Sequence, residues 1–504
     1  VAFPQQPVIQ IQDAVGNPVG QSGTTVTASL VSGPPGGVLG GTLVATTGAG
    51  GAAAFANLSV AGPAGVYTIG FAAAGLSSAQ ANPVTLAASG TPGLTIAVQP
   101  SSAAVNGVVL NQQPVVQLVD GSGQPSNQAG VAVTATLSGG GSATLGGTAT
   151  VNTDGSGKAT FAGLSITGKV GSYTLAFSAS GMTGVTSGAI ALGAGPAALL
   201  VISTQPSATA TTGTAFAQQP VLQVQDGSGN PVSGVVVTAA IASGSGTLGG
   251  TATATSDGTG TATFAGLSIS GPTGQYTLGF TTPGAPQVTS ASITLGAGAP
   301  AQLTIATQPS ATAQSGVAFA QQPAVQVADA LGNPVSGVVV TVAIGTGGGT
   351  LGGTATATSD ASGLAVFSGL SISGTIGTYT LAFSASGTPT VTSNAITLAA
   401  GLVAQIVIVR QPSGSANHGA VFARQPIVQL TDAAGNLVAG ASVTAAINTA
   451  ILGNGVLGGT LTIVSDAAGL ATFTNLKISK SGIYTLKFTS GGVTSPASSS
   501  ITIT

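Results

Sequence analysis

Residues 215–232 read AFAQQPVLQVQDGSGNPV, and variants of this stretch recur along the whole chain of 504 residues. Its Gln-Pro step stands at Pro7, Pro114, Pro220, Pro323 and Pro426, spaced 107, 106, 103 and 103 apart by subtraction. Six residues after each Pro comes an Asp: Asp13, Asp120, Asp226, Asp329 and Asp432. A Gly follows three positions later, then Asn or Gln. That composition marks a turn, because a short carboxylate bonds nearby backbone N–H groups. A second turn carries Asp154, Asp257, Asp360 or Asp466, with Gly three residues on and Phe seven on (Phe161, Phe264, Phe367, Phe473). Each repeat closes on Gly-x-Tyr-Thr-(Leu/Ile), around Tyr67, Tyr173, Tyr276, Tyr379 and Tyr484.

A period near 103 residues exceeds the unit of a solenoid or a propeller blade. It matches a whole sandwich domain of about 100 residues. Val221 to Gln225 and Tyr379 to Phe383 alternate with period two, which places Tyr379, Leu381 and Phe383 on one face of a strand. The run from Phe161 to Ile166 breaks that parity, and a β-bulge beside Gly163 would turn all its apolar side chains inward. No helical stripe interrupts the pattern. The expected fold is therefore all-β: five tandem immunoglobulin-like Greek-key sandwiches of about seven strands each, in an elongated rod. The repeat phase sets the domains at residues 1–91, 92–195, 196–299, 300–401 and 402–504. At roughly 30–40 Å per domain the rod would span on the order of 150–200 Å. One Tyr per repeat at the start of a late strand fits a tyrosine corner, its hydroxyl on backbone and its ring inward.

The order Asp-x-x-Gly-Asn-Pro-Val, Thr/Ser-Asp-x-x-Gly-x-Ala, then Gly-x-Tyr-Thr-Leu resembles the bacterial immunoglobulin-like domains of invasin- and intimin-type surface proteins. The resemblance covers all five repeats. It implies an exported protein whose domains act as spacers. Two departures stand out: charge is nearly absent, and no distinct terminal receptor-binding domain is present.

Composition narrows the function further. Only 3% of residues are charged, the net charge is −2, and 43% are apolar, so the chain can bury cores and has no basic face for nucleic acid. Cys is absent, which excludes disulfides and thiolate metal sites. No apolar run reaches the roughly 18 residues of a membrane span. The start lacks Met and a signal peptide, which reads as a processed or partial product.

All nine acidic residues are Asp, and all sit in the two repeated turns. That leaves no carboxylate pair for acid–base catalysis, and the single His418 has no recurring partners for a triad. No catalytic residue and no cofactor is expected. Calcium is the one metal worth weighing, at Asp226 with Asp257 and at Asp329 with Asp360. Two carboxylates per domain are thin for an ion that prefers six to eight oxygens. An internal Lys–Asn cross-link cannot be general, because domains 1, 3 and 4 contain no Lys.

Two asymmetries remain. Domain 1 lacks a counterpart of the strand Leu303 to Thr307. Either a strand from another subunit completes it, or the sequence starts within a domain. Domain 5 carries Arg410, Arg424, Lys477, Lys480 and Lys487 against two Asp, a net of +3, while the rest carries −5. A basic tip could dock on an acidic surface, or it is ordinary surface charge. Sparse charge also favours self-association. The leading expectation is a structural subunit of an extracellular filament, sheath or surface layer, self-associating as a homopolymer. The alternative is a rigid stalk of a cell-surface adhesin with a cell-surface or matrix partner. A carbohydrate- or receptor-binding module ranks third, because the aromatics are assigned to the core.

Overall fold

The computed structural model describes residues 2–87 and 90–504; Val1 and residues 88–89 lie outside the description. The regular elements are all β-strands, with no helix among the described residues. The third repeat shows how they assemble. Leu199–Thr204 pairs antiparallel with Val221–Gln225, which pairs with Thr261–Thr263. The chain then switches sheets: Thr209–Thr211 lies parallel to Ile293–Gly296. That strand pairs with Gly274–Thr282, followed by Val236–Ser243 and Thr253–Thr255. The same two sheets recur in the second, fourth and fifth repeats. Two sheets of this strand order over one core make each repeat an immunoglobulin-like sandwich, with its first strand divided between them.

Period-two alternation explains which side chains meet. In Gly274–Thr282, Tyr276, Leu278 and Phe280 are buried, while Gln275 and Thr281 face out. Phe280 packs on Phe264 with ring centroids 5.4 Å apart at 54°. The same tilted pair forms in each repeat, as Phe55–Phe71, Phe161–Phe177, Phe367–Phe383 and Phe473–Phe488. Such pairs add about 1 kcal/mol beyond their buried area.

The Gln before each repeated Pro has a structural task. Gln219 Nε2 donates to the carbonyls of Phe216 and Leu267, and its Oε1 accepts from Leu267 N–H. This side chain substitutes for a missing strand partner where the chain turns at Pro220.

One expectation needs correction. The run Phe161 to Ile166 is not a bulged strand. Lys158–Thr160 ends in one sheet, and Ser165–Gly168 begins a separate ladder with Ala143–Gly146. Gly163, at φ 71°, makes the corner between them. Phe161, Leu164 and Ile166 are still buried, because the change of sheet resets the inward parity.

In the first repeat, Val8–Gln10 pairs with Ala52–Ala54 on one side. The described residues place no strand on its other side, where the later repeats put strands such as Leu199–Thr204. A groove lined by Phe3, Pro7, Ile69, Phe71, Ala81 and Pro83 lies beside it.

Candidate functional site

The two turn families behave differently. In the second family, Asp257 is exposed and its Oδ1 accepts from Thr259 N–H, Thr259 Oγ1 and Thr261 N–H. Those bonds, led by the Thr259 hydroxyl, hold its carboxyl below the usual range. Asp154 and Asp360 repeat this arrangement with Ser156 and Ser362. Asp466 bonds the N–H groups of Ala468 and Leu470. Domain 1 makes the same turn with Gly48, whose N–H bonds the Ala52 carbonyl.

Three members of the first family, Asp226, Asp329 and Asp432, tie one repeat to the next. Asp226 is 2% exposed, and its Oδ1 accepts from the N–H groups of Ser228 and Asn230. Its Oδ2 accepts from the linker Gly195 N–H at 2.8 Å, from Asn106 Nδ2 at 2.8 Å and from Asn230 Nδ2 at 2.9 Å. Burial alone would raise this carboxyl, but five donors outweigh it and lower the pKa from 3.8 to about 2. Asp329 takes Gly298 N–H and Asn333 Nδ2, and Asp432 takes Gly401 N–H and Asn436 Nδ2. Both are lowered despite burial, for the same reason.

The neighbouring Asn reaches into the preceding repeat. Asn230 Oδ1 accepts from Val170 N–H at 3.0 Å, and its Nδ2 donates to Gly168 O at 2.8 Å. Asn333 does the same with Thr273 N–H and Gly271 O, at 3.1 Å each. Asn436 does it with Ile376 N–H and Gly374 O, at 3.0 and 2.8 Å. The contacted loop is pinned in turn. Gly168 N–H donates to Asn106 Oδ1, Gly271 N–H to Thr212 Oγ1, and Gly374 N–H to Ser315 Oγ. At the joint after the second repeat, Lys169 Nζ adds bonds to the carbonyls of Ser228 and Gly229.

Sequence reasoning treated the Asp of both families as local turn residues and assigned the following Asn no partner in another domain. The available signal was the Asn of Gly-Asn-Pro beside a linker, together with its replacement by Gln124. The single His418 has no counterpart of its own type in the other repeats, yet its backbone shows which position it holds. Its N–H donates to Thr504 O as Asn106, Thr212 and Ser315 donate to Gly193, Gly296 and Ala399. His418 therefore holds the backbone position of Asn106, Thr212 and Ser315 in domain 5, but its ring contacts Thr504 O and not the loop.

Each Tyr places its hydroxyl on backbone. Tyr67, Tyr173, Tyr276, Tyr379 and Tyr484 donate to the carbonyls of Pro63, Lys169, Pro272, Thr375 and Ser481. For calcium, the oxygens of Asp226 and Asp329 are occupied by N–H donors that a cation would have to displace. Among the described residues no group of three or more His or Asp comes together. Nor is any helix long and apolar enough to cross a membrane, which leaves β-barrels unaddressed.

Comparison with known proteins adds the following. Residues 82–191 match the family described as SMCHD1 Ig-like domain 6, and residues 222–308 the carboxypeptidase regulatory-like domain. No curated protein matches the chain. Among solved structures it is similar to InvD of Yersinia pseudotuberculosis, at 17% identity and a TM-score of 0.29, over 59% of this chain and 95% of that one. It is similar to invasin, titled a bacterial integrin-binding protein, at 12% identity and a TM-score of 0.26, over 81% and 78%. A titin fragment, I67–I69, matches at 13% and 0.29, over 62% and 100%. At such values these likenesses say nothing about what the chain binds.

Proposed function

We propose that this chain is a non-catalytic spacer of the bacterial cell surface or extracellular space, an adhesin-type stalk that holds another element at a distance. The observation that supports it is repetition at the joints. Three successive junctions use the same Asp, Asn, linker Gly and loop Gly, so each domain is set on the last by the same contacts. An enzyme would need convergent reactive groups. The carboxylates here are instead committed to backbone donors.

A structural subunit of a filament, sheath or surface layer is the second reading. It is supported by the sparse charge, which sets no strong electrostatic barrier to self-packing. The two readings separate in negative-stain electron microscopy of the purified chain at neutral pH and moderate salt. Dispersed thin rods are expected. Ordered fibres or sheets would overturn the spacer reading in favour of the subunit.

A further inference from the structure

We infer that the Asp-x-x-Gly-Asn turn is an inter-domain clasp, and that its Asn is the residue that fixes the angle between successive repeats. The geometry is specific to an Asn amide. One carboxamide bonds three groups at once: an N–H and a carbonyl of the preceding domain, and the Asp Oδ2 of its own turn. It is thus shared between two bodies, as one more peptide unit would be. The Asp Oδ2 also holds the linker Gly, at 2.7 to 2.9 Å in the three joints, so linker and loop are tied to a single point. Water competes little there, since Asn230, Asn333 and Asn436 are 1%, 7% and 7% exposed. Directional bonds in a dry setting restrict rotation about a joint far more than a short linker does by itself.

The chain contains its own comparison. At the first joint the turn reads Asp120-Gly121-Ser122-Gly123-Gln124, and the loop that corresponds to Gly168-Lys169-Val170 is Gly62-Pro63-Ala64. Asp120 organises its turn as usual, accepting from the N–H groups of Ser122 and Gln124. The Gln124 side chain, one methylene longer, is exposed, and among the described residues it bonds neither Gly62 nor Ala64. Asn17 of domain 1 bonds Asp13 Oδ2 like the others and stays exposed. The Asn–Asp bond therefore forms inside the turn by itself, and only the preceding loop is needed to complete the clasp.

This inference rests on the spacer reading but fails separately from it. The chain has no Cys, so two introduced thiols label unambiguously. Thr255→Cys with Thr358→Cys, on exposed strand positions of the third and fourth repeats, reports on one clasped joint by double electron–electron resonance. Thr358→Cys with Thr462→Cys reports on the next, and Thr46→Cys with Asn152→Cys on the first joint. In the full chain, Asn333→Ala should broaden the Thr255–Thr358 distance distribution at least twofold and leave the Thr358–Thr462 one unchanged. Asn333→Asp keeps the volume but sets an acceptor against Gly271 O and Asp329 Oδ2, so it should broaden the same distribution. Gln124→Asn should narrow the Thr46–Asn152 distribution. Unchanged widths in both Asn333 variants, with far-ultraviolet dichroism intact, would overturn the clasp even if microscopy shows rods. Fibres together with an Asn333-dependent width would overturn the spacer and leave the clasp standing.

Discussion

Replacing Asp226 by Asn tests whether one carboxylate holds the joint between the second and third repeats. Five donors converge on it: the N–H groups of Ser228, Asn230 and Gly195, and the amides of Asn106 and Asn230. An Asn side chain offers one oxygen, and its NH2 would face donors, so at least two bonds are lost. Because the folded pKa is about 2 and the ordinary value 3.8, the carboxylate favours the folded form. A depressed pKa gives stability that is present above pH 4 and lost as pH falls through about 2. The difference amounts to about 2 kcal/mol, at 1.36 kcal/mol per unit.

Hydrogen exchange by mass spectrometry, corrected for intrinsic rates, reads this locally. The opening constant of the segment from Gly195 to Asn230 should rise roughly 30-fold between pH 6 and pH 2 in the native chain. Asp226→Asn should raise it already at pH 6 and remove most of the pH slope. An equal slope in both proteins would refute the assignment, since the titrating group would then be elsewhere. A flat native profile would refute the depressed pKa itself.

Two further outcomes follow from local geometry. Tyr276→Phe removes a hydroxyl bonded to Pro272 O at 2.9 Å and Ser245 O at 3.4 Å. It should destabilise that domain by about 1–2 kcal/mol, measured as earlier thermolysin cleavage within residues 199–296. Gly250 has φ 84°, and an added Cβ would fall on the Gly266 carbonyl. Gly250→Ala should therefore cost about 2–4 kcal/mol and expose the same region to protease, while the fourth domain resists as before.

The strands were legible because each rests on a period of two that burial enforces. Tyr276, Leu278 and Phe280 could face only one core. The sheet change at Gly163 was not legible, since a bulge and a corner both put Phe161 and Leu164 inside. The joints were missed for a different reason. Asn230 meets Gly168 and Val170 from about sixty residues away, across a linker, and no periodicity reports such a contact. His418 was missed because its counterparts Asn106, Thr212 and Ser315 share a position and a backbone bond without sharing a chemical type. The Gly after each of them (Gly107, Gly213, Gly316, Gly419) was the alignment mark that would have found it.

Sparse charge and hydrogen-bonded joints belong together. With 3% of residues charged, long-range fields are too weak to orient one domain on the next. Orientation then has to come from short, directional contacts. A joint built on exposed ion pairs would loosen with salt, because screening acts within about 10 Å at 0.1 M. The clasps bury their one charge against N–H donors, where salt screens little and the low pKa keeps the carboxylate ionised well into acid. Lys169 is the exception, exposed and bonded to two carbonyls across one joint. Even there the acceptors are neutral, so the bond needs no ion pair to persist. Joints of this kind should keep their geometry in dilute and saline media alike, whatever element they carry.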